Sequence, residues 1–173
     1  MKTNKTKSFL NPKGAIGIAL GIIALISVSS LVLAQSGGNL IAGQNILVGS
    51  IDVSKDVDNI RVEYVTDGDW VITGLHLQIA NDLSGIPQTK TGNPTPGLFE
   101  YNVQFDTPVS FNASTKAISE LNLTGETVVI AAQADVYNTV TGENETAWAD
   151  GQAFPGKNWA TYFVYNLNPG PFE

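Results

Sequence analysis

The chain has 173 residues, no cysteine, and nine basic against sixteen acidic residues, for a net charge of −7. Without cysteine no disulfide can staple the domain, so stability has to come from a core, a metal or assembly. The acidic balance argues against nucleic acid as a partner, since that binding rests on Lys and Arg neutralising phosphates.

At the N-terminus Lys2, Lys5, Lys7 and Lys13 precede an uncharged, mostly apolar stretch from Ala15 to Ala34, and no acid occurs before Asp52. A positive start, a long apolar run and the small-residue ending Val32-Leu33-Ala34 predict an export signal over 1–34, cleaved before Gln35. Two alternatives stay open. A run of about 20 apolar residues can also remain as a membrane anchor, and Lys13-Gly14-Ala15-Ile16 resembles an archaeal pilin cleavage site, which would make Ala15 the first residue. Gly17, Gly21, Ser27, Ser29 and Ser30 dilute the hydrophobicity and favour a cleaved signal. All three readings put the body outside the cell, with membrane contact only through this segment before cleavage. Removing it leaves 139 residues with five basic against sixteen acidic side chains, a net charge of −11. That length supports one domain with its own core, expected over 35–173.

The mature chain opens on Gln35-Ser36-Gly37-Gly38, a flexible start leading into Leu40-Ile41-Ala42-Gly43-Gln44-Asn45-Ile46-Leu47-Val48. Segment 35–48 is a candidate donor strand, with Leu40, Ile41, Ile46 and Val48 as assembly residues. It could add to the free sheet edge of a neighbouring copy. The competing reading makes it the first strand of its own sheet. Further on, strand-type alternation predicts strands at 46–53, 59–65, 70–80, 99–105, 110–111, 117–123, 127–137 and 159–167. In 70–80, Leu75, Leu77 and Ile79 should face one way and His76, Gln78 and Ala80 the other. Turn signals at Asp67-Gly68, Ser84-Gly85, Thr124-Gly125 and Thr141-Gly142 separate the strands, and no mature segment keeps a helical stripe. The expectation is an all-β domain, a β-sandwich or jelly roll, preceded by the apolar signal helix.

Three blocks stand out: Gly68-Asp69-Trp70-Val71-Ile72-Thr73-Gly74-Leu75-His76-Leu77, the run from Ile86 to Gly97, and Glu145-Thr146-Ala147-Trp148-Ala149-Asp150-Gly151 continuing through Phe154-Pro155-Gly156-Lys157-Asn158-Trp159-Ala160-Thr161-Tyr162-Phe163. From the residues alone, the last reads as a rigid loop pinned by aromatics, which ordinarily means core. A sugar- or protein-binding platform is the alternative. Together the blocks resemble exported surface domains of bacteria and archaea and, more narrowly, the archaeal cannula subunits that polymerise into hollow extracellular tubes. That resemblance implies a jelly-roll-like subunit, a donated N-terminal strand, a homopolymer and calcium between subunits. Where many such domains carry a second His two residues after the first, this chain has Gln78, which puts any paired-His function in doubt.

Catalytic signals are thin, and the chain reads as non-enzymatic. His76 is the single His, and there is no nucleophile elbow, phosphate loop or zinc cluster. Oxygen-rich turns at Asp56-Val57-Asp58-Asn59 and Asp67-Gly68-Asp69 are candidate calcium ligands through Asp56, Asp58, Asp67 and Asp69, although neither matches the spaced acidic loop. Asp82, and Asp150 within 143–150, are secondary candidates. N-glycosylation acceptors occur at Asn112, Asn122 and Asn144. The leading expectation is an extracellular structural subunit of a filament or tube, and the alternative is a secreted monomeric module that binds glycans or surface polymers.

Overall fold

The computed structural model describes residues 37–168, so the segment expected to be a signal helix, together with the Gln35 start, lies outside the described residues. These fold as an all-β domain. Strands β1 (Gly37–Ala42) and β2 (Ile46–Lys55) form a hairpin, followed by β3 (Asn59–Thr66) and β4 (Trp70–Ala80). After a long loop come β5 (Tyr101–Val109), β6 (Phe111–Ala117), β7 (Thr127–Asn138), β8 (Asn144–Ala149), the short β9 (Gln152–Ala153) and β10 (Thr161–Asn166).

Instead of two separate sheets, hydrogen bonding runs through one continuous sheet in the order β5-β4-β7-β8-β1-β2-β3-β6, with β10 added beside β7 and β9. Strands β5 and β6 are two halves of one extended run that bends at Ser110, whose carbonyl accepts the Thr66 N–H at 2.9 Å. The first half pairs with β4 and the second with β3. The two ends of the sheet are thereby brought side by side, and the sheet curls into a nearly closed barrel. Closure removes most of the exposed edge that an open sheet would offer for uncontrolled pairing.

Alternation supplies the interior. Val48, Ile51 and Val53 from β2, Ile60, Val62 and Tyr64 from β3, and Ile72, Leu75, Leu77 and Ile79 from β4 are all buried in one cluster. The expected split of β4 is therefore correct on its inner side. The outer side is not open to water, because His76 and Ala80 are buried too. Strand β7 explains this. Its run Val128-Val129-Ile130-Ala131-Ala132 is buried throughout, as expected of a strand covered on both faces.

A second apolar cluster covers the outer face of β4, β7 and β8. It consists of Ala80, Ile86, Phe99, Val129, Ala131, Trp148, Phe154 and Ala160. The aromatic rings run edge to face, with Phe99–Trp148 at 6.4 Å, Trp148–Phe154 at 6.1 Å and Phe154–Tyr162 at 5.1 Å, a preferred arrangement for their quadrupoles. The two unusual loop blocks clasp one another here. Asn93 Oδ1 accepts the N–H groups of Lys157 and Asn158 at 2.8 and 3.2 Å, and Gly156 N–H donates to the Gly92 carbonyl at 3.1 Å. A Cβ at Gly156 would lie 1.9 Å from Asn93 Oδ1, so only glycine permits this approach.

Two expectations are corrected. The strand expected over 117–123 is not formed: Ala117 ends β6, and a 3-10 turn at Ile118–Glu120 and a left-handed Asn122 (φ 47°) break the extension. Residues 144–149, expected to begin a loop, form β8. Of the two readings open for the N-terminal run, the described chain has the second: β1 lies in its own sheet, hydrogen-bonded to β2 on one side and β8 on the other. Leu40 and Val48 are fully buried in the chain's own core, Ile41 packs half-buried on the outer face, and Ile46 is exposed at the hairpin. The three-residue connection Gly43-Gln44-Asn45 has positive φ at Gly43 and Gln44 (52° and 76°), and Asn45 N–H donates to the Ala42 carbonyl at 3.1 Å, a primed turn whose twist matches the flanking strands. Withdrawing β1 would strip two ladders and open the barrel.

Candidate functional site

The outer face of β4, β5 and β7 carries a polar cluster that begins with a bulge. The register of β4 shifts between Ile72 and Gly74 against both neighbours. Such an extra residue re-aims side chains and often marks a functional edge. Here it turns Thr73 so that its hydroxyl donates to the Asp135 carbonyl at 3.1 Å. It also places Gly74 beneath Gln104: a Cβ there would lie 2.3 Å from Gln104 Nε2. With glycine at 74, Gln104 reaches Asp135 Oδ2 at 3.2 Å.

Asp135 is the centre of the cluster. Gln133 Nε2 donates to its Oδ1 at 2.8 Å, and His76 Nε2 lies 3.4 Å from its Oδ2. His76 hydrogen bonding, partly opposed by desolvation and reinforced by Gln104 and Gln133, holds the Asp135 carboxyl below its ordinary range. The carboxylate stays about two-fifths exposed, at 38%. It is therefore held rigidly and still presents an acceptor to solvent. His76 Nδ1 is buried with no partner among the described residues.

Asp135 opens onto a groove of about 690 Å³ whose walls include Gln44 of the β1–β2 turn, Thr146 and Glu145 of β8, and Trp159. A second recess of about 260 Å³ shares Gln44 and Trp159 and adds Asn45, Trp148 and Asp150. Trp159 is half-buried, packed at its base against the outer apolar cluster. The lining thus pairs indole surface with three carboxylates, Asp135, Glu145 and Asp150, and three amides, Gln44, Asn45 and Asn144, and among the described residues no basic side chain lines either recess.

The acids singled out in the sequence are dispersed. Asp56 Oδ1 accepts the N–H groups of Asp58 and Asn59 at 2.8 and 2.7 Å, and these bonds hold its carboxyl below the ordinary range. Asp82 does the same for Ser84. Both are turn caps. The carbonyls of Asp67 and Asp69 accept from Trp70 and Thr139, while Asp58 receives Ile118. Among the described residues no three His, Cys, Asp or Glu side chains come together. Of these acids Asp150 lines the second recess, beside Trp148 and Trp159. Of the glycosylation candidates, Asn122 and Asn144 are exposed, whereas Asn112 is half-buried and accepts from Tyr101 Oη at 3.4 Å.

The residues that sequence reasoning missed are Gln44, Gln104, Gln133 and Asp135. One signal pointed to Asp135: it is the sole charged residue in the otherwise apolar 127–138 run. The chain matches no family model, and no curated protein or solved structure is significantly similar to it.

Proposed function

We propose that this protein is an exported binding module that holds a glycan chain in the groove beside Trp159. A pyranose ring presents an apolar face of C–H groups and a rim of hydroxyls. An indole covers the first, and carboxylate and amide acceptors bond the second. The observation that carries the reading is Asp135, oriented by His76, Gln104 and Gln133 at the edge of a groove walled by Trp159. A ligand meeting groups already fixed in place loses less freedom on binding than one that must order them.

The test is retardation of the secreted protein in native gels containing soluble neutral polysaccharides, paralleled by tryptophan fluorescence titration. Wild type should be retarded by at least one polymer, and Trp159→Ala should weaken that binding by about tenfold or more, or about 1.4 kcal/mol, while circular dichroism still shows the folded β domain. Failure of every polymer to retard wild type, or unchanged binding by Trp159→Ala, removes the reading.

Assembly into a filament or tube is the second reading, favoured by Leu47 and Phe111, apolar side chains 58% and 50% exposed on the outside of the β1-β2-β3-β6 half. Since β1 fills its own sheet, contacts between copies would be made by these faces. In this reading calcium would sit between copies, as the resemblance implies. Light scattering with and without Ca²⁺ separates a monomer from a polymer.

A further inference from the structure

The barrel is not fully sealed. Strands β5 and β6 are the two ends of the hydrogen-bonded order, and they diverge from their common bend at Ser110. What crosses the gap is side-chain contact: Lys116 of β6 binds Glu100 just before β5, and Tyr101 Oη donates to Asn112 Oδ1 at 3.4 Å. Between them lies a half-enclosed cavity of about 190 Å³ lined by Leu77, Ile79, Tyr101, Ser114, Lys116 and the carboxylates Glu100 and Glu120.

Three features make this a site and not a packing fault. First, Ser114 lines the cavity, is only 4% exposed, and among the described residues its Oγ has no hydrogen-bond partner. A buried hydroxyl that has given up water without a replacement partner calls for an explanation. Second, Tyr64, on the same inward face of β3 as the Ser114 partner Val62, is fully buried with its hydroxyl also unpaired among the described residues, a second unsatisfied polar group in this part of the core, while Leu77, Ile79 and the Tyr101 ring give the cavity apolar walls. Third, the mouth holds Lys116 with Glu120 at 2.7 Å and Glu100 closer still. Desolvation opposes the Lys116 charge, yet hydrogen bonds to the two carboxylates raise its pKa. One fixed donor and two acceptors thus sit at the rim.

An engineered apolar cavity of about 150 Å³ holds one benzene ring; the larger space here, open on one side, takes one saturated ring provided that part of its substituted edge stays at the mouth. The ring has to be apolar on its faces and hydroxylated at its edge, to suit the walls, the Ser114 hydroxyl and the rim charges together. We propose that the seam between β5 and β6 binds one pyranose ring, as a free monosaccharide or the end residue of a chain. This site is separate from the Trp159 groove and stands whether or not that groove binds glycan.

The experiment is ¹H–¹⁵N NMR titration of the folded secreted domain with glucose, galactose and N-acetylglucosamine, with cyclohexanol as the apolar-ring control. At least one sugar should shift the amides of Ser114, Thr115 and Lys116 with a Kd of about 1 mM, ahead of cyclohexanol. Ser114→Val fills the cavity and should abolish the shifts. Glu100→Gln, at an exposed side chain that leaves the core intact, should weaken binding by about tenfold even if the valine variant fails to fold. Trp159→Ala should leave the titration unchanged, which separates this site from the groove. Absence of shifts with all three sugars, or a Glu100→Gln titration equal to wild type, overturns the proposal. Tighter binding of cyclohexanol than of any sugar also overturns it.

Discussion

The two outer faces of the barrel differ although their inner faces are built alike. On the inside, β2 and β3 contribute the same alternating Val and Ile as β4 and β7, merged into one core. On the outside, β2 and β3 present Ser50, Asp52, Ser54, Arg61 and Glu63 to water or near it, and the expected polar alternation is realised. The outside of β4, β7 and β8 is buried beneath two clasped loops and carries its own aromatic cluster. A strand that must be apolar on both faces leaves few positions for polar groups. His76, Gln133 and Asp135 occupy such positions, at the margin where the loop cover stops. The difference teaches that the loops do more than connect strands. They bury one half of the barrel twice and build the groove wall from Trp159.

The comparison can be broken from the inside outward. Leu75→Ala removes a fully buried side chain from the shared core and should cost about 3 kcal/mol, read as one cooperative loss of all β structure in urea denaturation. Gly156→Ala places a Cβ on Asn93 Oδ1 and should cost about 2 kcal/mol. Its signature is different: amide exchange should rise across 86–99 and 150–160 while the β2 and β3 amides stay protected. If those strands exchange equally, the two regions form one cooperative unit and the contrast between them is lost.

Asp135→Asn tests the polar margin. Because Asp135 has a lowered carboxyl pKa in the folded state, its stabilising effect is present above the unfolded value of about 4 and vanishes as pH falls through the folded value. Wild type should therefore lose more melting temperature than the variant between about pH 5 and pH 3. Parallel curves would show that the three donors contribute nothing to the fold. At the small end, Arg61→Ala on the open face breaks an exposed 2.6 Å pair with Glu63 and should change stability by less than about 0.5 kcal/mol. A larger loss would mean that this face too is engaged in something.

Much of the architecture was legible in the residues. Strand β4 is found at the predicted bounds, and β2, β3 and β7 within a few residues of theirs, because period-two alternation reports burial on one side of a strand. The same signal failed where its assumption failed. In 144–149 the alternation is masked because Ala147, Trp148 and Ala149 are all buried, so a strand read as an aromatic loop. In 117–123 the apolar residues Ile118, Leu121 and Leu123 support the core from a turn. The candidate site was less legible. Turn acids such as Asp56 and Asp82 looked like ligands, yet their carboxylates cap their own turns. Asp135 drew no notice in an apolar run.

From residue order alone come the all-β class, the inward alternation, the single-domain length and the aromatic character of the 145–163 block. These depend on neighbours a few positions apart. Long-range pairing chose the rest. The bend at Ser110 sends one run to two different partners and turns a sheet into a barrel with a seam. The slot between β2 and β8 receives β1. Asn93 meets Gly156 across more than sixty positions of chain, and β4, β5 and β7 must lie side by side before His76, Gln104, Gln133 and Asp135 can meet. No local pattern encodes such meetings, because the energy that selects them belongs to contacts between segments that periodicity describes one at a time.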